Sequence, residues 1–206
     1  MKNKKGTLLI ALGIILILGA AGLSGYNLFE ENNAKESSEK AATILSEQIV
    51  VKEQDEIYHN ASEIEIPDHI LNPEMDMPVA EIEGTEYIGT LEIPQIGLLL
   101  PIISEWSYPN LKIAPCRYFG SVYLDNMAIA GHNYKAHFRA LESLSAGDEI
   151  IFRDIDGNEF RYLVSAKEVL PPTAIEEMTS GDWDFTLFTC NTTGTYRIAI
   201  RCDKNE

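Results

Sequence analysis

Between Lys5 and Glu30 the chain carries no charged side chain, and that interval fixes what its first part can become. Residues 7–29, 23 in all, are rich in Leu, Ile, Gly and Ala. Inside a bilayer each backbone polar group must be bonded within its own segment, so an apolar run of this length spans as a helix; roughly 20 residues suffice. Lys2, Lys4 and Lys5 precede the run and Glu30 and Glu31 follow it. The positive-inside rule then puts the N-terminus inside and the rest of the chain outside. Ala20, Ala21, Gly22 and Ser24 are small enough to suit a cleaved signal peptide. The apolar core of such a leader is about 7 to 15 residues, shorter than this one, so an uncleaved anchor is expected over residues 1–29.

The net charge of −16 is unevenly spread: +3 in residues 1–29, −13 in residues 30–87 and −6 in the remainder. Residues 34–52 place Ala41, Ile44, Leu45 and Ile49 at helical spacing. Pro67, Pro73 and Pro78 punctuate the acidic stretch beyond, which has little apolar surface to bury. Residues 30–81 therefore read as an acidic, partly helical extracellular stalk whose charge keeps it solvated. The basic footprint of a nucleic-acid binder is absent. Residues 82–206 suffice for one domain with its own core. Three cysteines cannot all pair, so at least one thiol is free; Cys116 and Cys202 are the pair that could bond.

Within that domain, residues 88–93 and 96–103 are strand-like, with Pro94 and Pro101 arguing for bent or edge strands. One helical turn is expected near residues 108–114, strands at 121–124 and 127–130 and a helix at 137–144. Asp156-Gly157 reads as a hairpin turn between strands 149–153 and 159–170, and Pro171-Pro172 introduce a short helix. Short strands and hairpins without regular strand-helix alternation indicate an all-β barrel or sandwich.

The last hairpin carries the chemistry. Residues 184–189 mix β-branched and aromatic side chains, 191–194 are turn formers, and 196–202 alternate again. With residues 191–196 as the loop, Cys190 and Arg197 become the first cross-strand pair, their Cβ atoms about 5 Å apart. The thiolate is the nucleophilic form of cysteine, and a fixed cation beside the sulfur favours it. His132 follows an apolar run and Gly131, where the chain turns at the sheet rim, and suits the acid or base that a thiol nucleophile needs. Taken singly, each of the three has an ordinary structural reading: a buried thiol, a loop histidine, a surface arginine. Arg201 is the rival arginine. His69 falls in the stalk, and His59 and His137 have no such partner nearby in sequence.

Thr186-Leu187-Phe188-Thr189-Cys190, Arg197 on the following strand and Gly131-His132-Asn133 upstream together resemble the motifs of the sortases, membrane-anchored cysteine transpeptidases of Gram-positive bacteria. The likeness covers residues 87–202 and includes the anchor. It implies a closed eight-stranded β-barrel with a few short helices, and Cys190, His132 and Arg197 as the catalytic group. It implies that Cys190 attacks a Leu-Pro-x-Thr-Gly-like sorting signal between Thr and Gly to give a thioacyl enzyme. The acyl group then passes to an amine of a peptidoglycan precursor or a pilin. Thr189 and Asn133 are expected to contact substrate, while Phe185 and Leu187 belong to the core.

No cofactor is expected. Asp154, Asp156 and Glu159 resemble the acidic loop at which some sortases hold calcium, but in this chain they read as a plain hairpin turn. The Asp-Pro-aromatic lid motif of pilus-building members is missing, since Asp68-His69 and Asp76-Met77 do not match it. Classes B and D are the leading assignments. The alternatives are a surface-anchored cysteine hydrolase, which releases peptide without an amine acceptor, and a non-catalytic anchored β-domain with Cys190 as a structural thiol.

Overall fold

The computed structural model describes residues 4–59, 66–180 and 182–205; Lys2 of the basic tip and stalk residues 60–65 lie outside them. The chain opens in one uninterrupted helix, α1 (Lys4–His59), 56 residues and about 84 Å long at 1.5 Å per residue. Its apolar first part, including Leu9, Ile14, Leu18, Leu23 and Phe29, is exposed along its length. By length and composition it can cross a membrane.

The second part of α1 does something the stalk reading did not contain. Ala34, Ser38, Ala41, Leu45 and Ile49 recur every three or four residues, Ala42 stands beside Ala41, and all six are buried. That spacing makes one stripe, and the stripe packs on the domain in a cluster with Ile82, Tyr87, Ile103 and Ala130. Its alanines and serine let the helix approach closely, while Leu45 alone contributes roughly 2 kcal/mol of burial. Lys52 to Asp156, at 2.8 Å, ties the far end. A short turn of helix, α2 (Asp68–Leu71), follows and lays the His69 ring on Tyr123, centroids 4.7 Å apart.

Nine strands follow among the described residues: β1 (Ala80–Ile82), β2 (Thr85–Ile93), β3 (Leu98–Ile103), β4 (Cys116–Phe119), β5 (Met127–Gly131), β6 (Glu149–Asp154), β7 (Glu159–Leu170), β8 (Phe185–Cys190) and β9 (Arg197–Lys204). Eight of them run β2-β3-β4-β5-β8-β9-β7-β6, and β6 closes back on β2 from Gly89↔Asp154 to Glu92↔Ile151. This is the closed eight-stranded barrel the motifs implied, with β1 as an added hairpin strand on β2. Gly89 permits the closure. It sits at φ +152° in a bulge, where a Cβ would fall 2.0 Å from the Arg153 carbonyl oxygen. Alternate residues of each strand fill the interior, among them Leu91, Ile129, Phe152, Tyr162, Phe185, Leu187 and Ile200.

Two local expectations are corrected. Residues 121–124 form a 3-10 turn at Val122–Leu124 rather than a strand, and the strand is β4, just before them. Side chains capture the backbone there: Ser121 Oγ accepts from the Tyr123 amide, and Asn126 Oδ1 accepts from the Ser121 amide at 3.0 Å. The helix expected at 137–144 is a 3-10 segment, Phe138–Ser143. Two single turns of α-helix are also present, α3 (Tyr108–Leu111) and α4 (Ile175–Thr179). Cys116 and Cys202 are separate free thiols in different parts of the core. Burial pushes the Cys116 thiol up to about 12 and Cys202 further in the same direction, so neither serves as a nucleophile.

Candidate active site

The parallel pairing of β5 with β8 brings the histidine to the thiol. Its register runs Met127↔Phe185 through Gly131↔Thr189, so the next residues of the two chains, His132 and Cys190, emerge side by side. Neighbouring strands lie about 4.8 Å apart, within side-chain reach. The antiparallel β8–β9 ladder ends on Cys190↔Arg197, the pair the loop length had suggested. Asn191 closes the loop between them: its amide donates to the Tyr196 carbonyl at 3.0 Å, and its Oδ1 accepts from the Tyr196 amide. All three side chains are half-buried and line one groove of about 350 Å³.

Arg197 has little tying it to the fold. Among the described residues its one hydrogen bond is a 3.4 Å contact from Nη1 to the Tyr196 carbonyl. Arg201 is the opposite case: it is buried, with Nε on Glu168 at 2.8 Å, Nη1 on Thr186 Oγ1 and Nη2 on the Glu177 carbonyl. Every arm of Arg201 is used in structure, which removes it as rival.

His132 is positioned by a packed corner. Gly131 lies against the Phe138 ring so closely that a Cβ would come within 2.4 Å of Cδ2. The Phe138 amide donates to the His132 carbonyl, and Arg139 donates to the Asn133 carbonyl through Nε and Nη2. Tyr134 covers the imidazole, centroids 4.7 Å apart. Burial holds the imidazole below its ordinary pKa; the Glu30 carboxylate works against this and Lys112 adds to it. Asn133 does not line the groove, and its carbonyl serves the corner.

Trp106, Tyr118 and Phe188 build one wall as edge-on aromatics, and Ile175 and Met178 stand among the other lining residues. Sequence reading missed these. Only Phe188 carried a signal, since strand alternation sets it on the face of Cys190 two residues on. Thr189 lies in the wall with its Oγ1 buried and without a hydrogen-bond partner among the described residues, a state that costs roughly 1 to 3 kcal/mol. Asp154, the centre of the acidic loop, spends its carboxylate on the Asp156 and Asn158 amides, the Asn158 side chain and Tyr123 Oη, and so acts as a hairpin clamp.

A sortase-domain family model matches residues 91–205. The chain is 25% identical over 194 residues to a sortase A of Bacillus anthracis, covering 91% of this chain and 89% of that one. Among solved structures it resembles a Clostridium perfringens sortase D5 transpeptidase, with 18% identity, TM-score 0.56, and 80% of this chain against 99% of the other. It also resembles Clostridium perfringens sortase C determined with the C-terminal cell wall sorting motif, with 23% identity, TM-score 0.53, and 91% of this chain against 99% of the other. At those identities the solved structures speak to the fold.

Proposed function

The chain belongs to the sortase family, cysteine transpeptidases that act on C-terminal sorting signals, and from that premise we propose that Cys190, Arg197 and His132 carry the reaction. The observation that supports the assignment is the convergence of three strand ends, β5, β8 and β9, which delivers the three side chains to one groove. The Cys190 thiolate attacks the carbonyl carbon of the Thr-Gly bond in a Leu-Pro-x-Thr-Gly-like peptide, forming the S–C bond. Arg197, whose one hydrogen bond among the described residues is the 3.4 Å contact to the Tyr196 carbonyl, receives the developing oxyanion. The C–N bond then breaks as the His132 imidazolium gives its proton to the departing amine. An amine from a peptidoglycan precursor or a pilin lysine attacks the thioester, gives its proton to His132 and releases the Cys190 thiolate.

The aromatic and aliphatic lining takes the apolar residues of the signal, and Thr189 Oγ1 offers the hydrogen bond it otherwise lacks. Asn133 acts by holding the His132 corner. On this reading α1 crosses the membrane with its N-terminus inside, and the barrel works on the outer side.

The test is intact-mass spectrometry of the full chain, quenched in acid after mixing with a sorting-signal peptide. The expected result is an adduct of the peptide's N-terminal part on Cys190 that hydroxylamine discharges. An unmodified chain in the presence of cleaved peptide contradicts a thioacyl route.

A further inference from the structure

The active-site corner is fastened to α1 at the point where the helix leaves its apolar span. Phe29 is the last residue of that span, and Glu30 and Glu31 are the next two, about 1.5 and 3 Å further along the axis. Glu30 meets Lys112 Nζ at 2.6 Å, directly after α3. Glu31 accepts from the Lys135 amide at 2.6 Å, three residues after His132, and sits 3.6 Å from Arg139. These contacts fall on the emerging turn itself, the first turn of α1 beyond its apolar span. The headgroup layer adds about 5 to 8 Å beyond the hydrocarbon on each side. With α1 crossing the bilayer, Lys112 and Lys135, tied to Glu30 and Glu31, stand next to that layer.

The groove rim continues from there. Tyr108 stands four residues before Lys112 on α3, 71% exposed, and Trp106 packs on it with centroids 5.1 Å apart. Both rings line the groove. Exposed Trp and Tyr beside cations are what a headgroup layer takes up. Charge agrees: in a chain of net −16, Lys112, Lys135 and Arg139 surround the exit of the helix against Glu30 and Glu31. The side chain of Lys135 is exposed and makes no ion pair among the described residues.

We propose that the rim formed by Trp106, Tyr108, Lys112 and Lys135 docks on the lipid headgroups, so that the groove opens at the bilayer surface. The inference rests on the reading of α1 as a membrane anchor and of the groove as the peptide site.

Its test is depth-dependent quenching of Trp106 emission in the full chain, reconstituted in phosphatidylcholine and phosphatidylglycerol vesicles. The other tryptophan, Trp183, precedes β8 at the end away from Cys190, so Trp183→Phe isolates Trp106. The difference between wild type and Trp106→Phe gives the same quantity should that variant fold poorly. Lipid spin-labelled on the headgroup is expected to remove most of the Trp106 emission, and lipid labelled deep in the acyl chain much less. Unchanged Trp106 emission in protein that floats with the vesicles overturns the docking and leaves the anchor standing. Protein that fails to float overturns both. Cleavage of a soluble peptide by the same vesicles reports on the catalytic reading separately.

Discussion

Cys190 and Arg197 face each other as the last registered pair of the β8–β9 ladder. Four residues further along β9, Arg201 pairs with Thr186 and has each of its three nitrogens hydrogen-bonded. The two arginines should therefore separate cleanly. Arg197→Ala is expected to keep the melting temperature while lowering kcat/KM for a sorting peptide about 100- to 1000-fold, the size of a lost oxyanion donor. Arg201→Met leaves Glu168, Thr186 and the Glu177 carbonyl without their partner and is expected to cost about 2 to 4 kcal/mol of stability. Its folded fraction should retain kcat. Thermal melts beside peptide kinetics on both variants check the assignment.

The glycine before His132 is fixed by a ring. Gly131→Ala drives a methyl group to within 2.4 Å of the buried Phe138 ring, and the corner must move to admit it. The expected cost is about 1 to 3 kcal/mol, as for overpacking elsewhere. Because His132 rides on that corner, kcat should fall more than KM rises. Pairing the change with Phe138→Leu, which vacates ring volume, should return part of the activity; no recovery would mean Gly131 acts through something else.

How far these features could be read in advance follows from how local their causes are. The Cys190–Arg197 pair was legible because a six-residue turn-forming loop fixes the register, and a membrane-length run announces itself in one window. The helical spacing of Ala41, Ile44, Leu45 and Ile49 was legible as a helix but not as a docked one. What it packs on, Ile82, Tyr87 and Ile103, lies some 40 to 60 residues away and leaves no mark at the helix itself. Trp106 and Tyr118 reach the groove through loops and the short β4, whose four residues carry too little periodicity to register. Ser121 and Asn126 turned an expected strand into a 3-10 turn by competing for its backbone.

His137 is a second consequence of the docked helix. It is fully buried, with neither ring nitrogen in a well-formed hydrogen bond. Burial lowers its pKa to about 4, opposed by the carbonyls of Ala34 and Ile113 and by Glu31, and assisted by His132. Tyr134 is the ring beside it. The folded form thus binds its proton later than the unfolded form, whose value is about 6.5. Stability is complete above that value and is lost as pH falls from about 6.5 to 4, by on the order of 3 kcal/mol. Denaturant titrations from pH 7 to 4 should show this slope in wild type, and His137→Leu should flatten it. Equal slopes would mean that the acid loss comes from other groups.

Glu30 links the anchor helix to the histidine electrostatically. Its carboxylate favours the imidazolium of His132, against burial. Glu30→Gln removes that support, so the His132 titration should move to lower pH, and cleavage at neutral pH should fall as fewer molecules carry the proton the leaving amine needs. Following the His132 ring protons by NMR against pH, with the rate profile beside it, checks the direction. A shift to higher pH would contradict it.

The proposed transpeptidation site joins the Cys190 thiol, Arg197 and His132 in one groove. The most direct measurement presents the full chain with a quenched Leu-Pro-x-Thr-Gly-like peptide and an amine acceptor, and counts linked against hydrolysed product. Acceptor-linked product is expected from wild type, with Cys190→Ala lower by on the order of a thousandfold or more. Cleavage that persists in Cys190→Ala would contradict Cys190 as the nucleophile, and a peptide released to water regardless of acceptor would contradict transpeptidation.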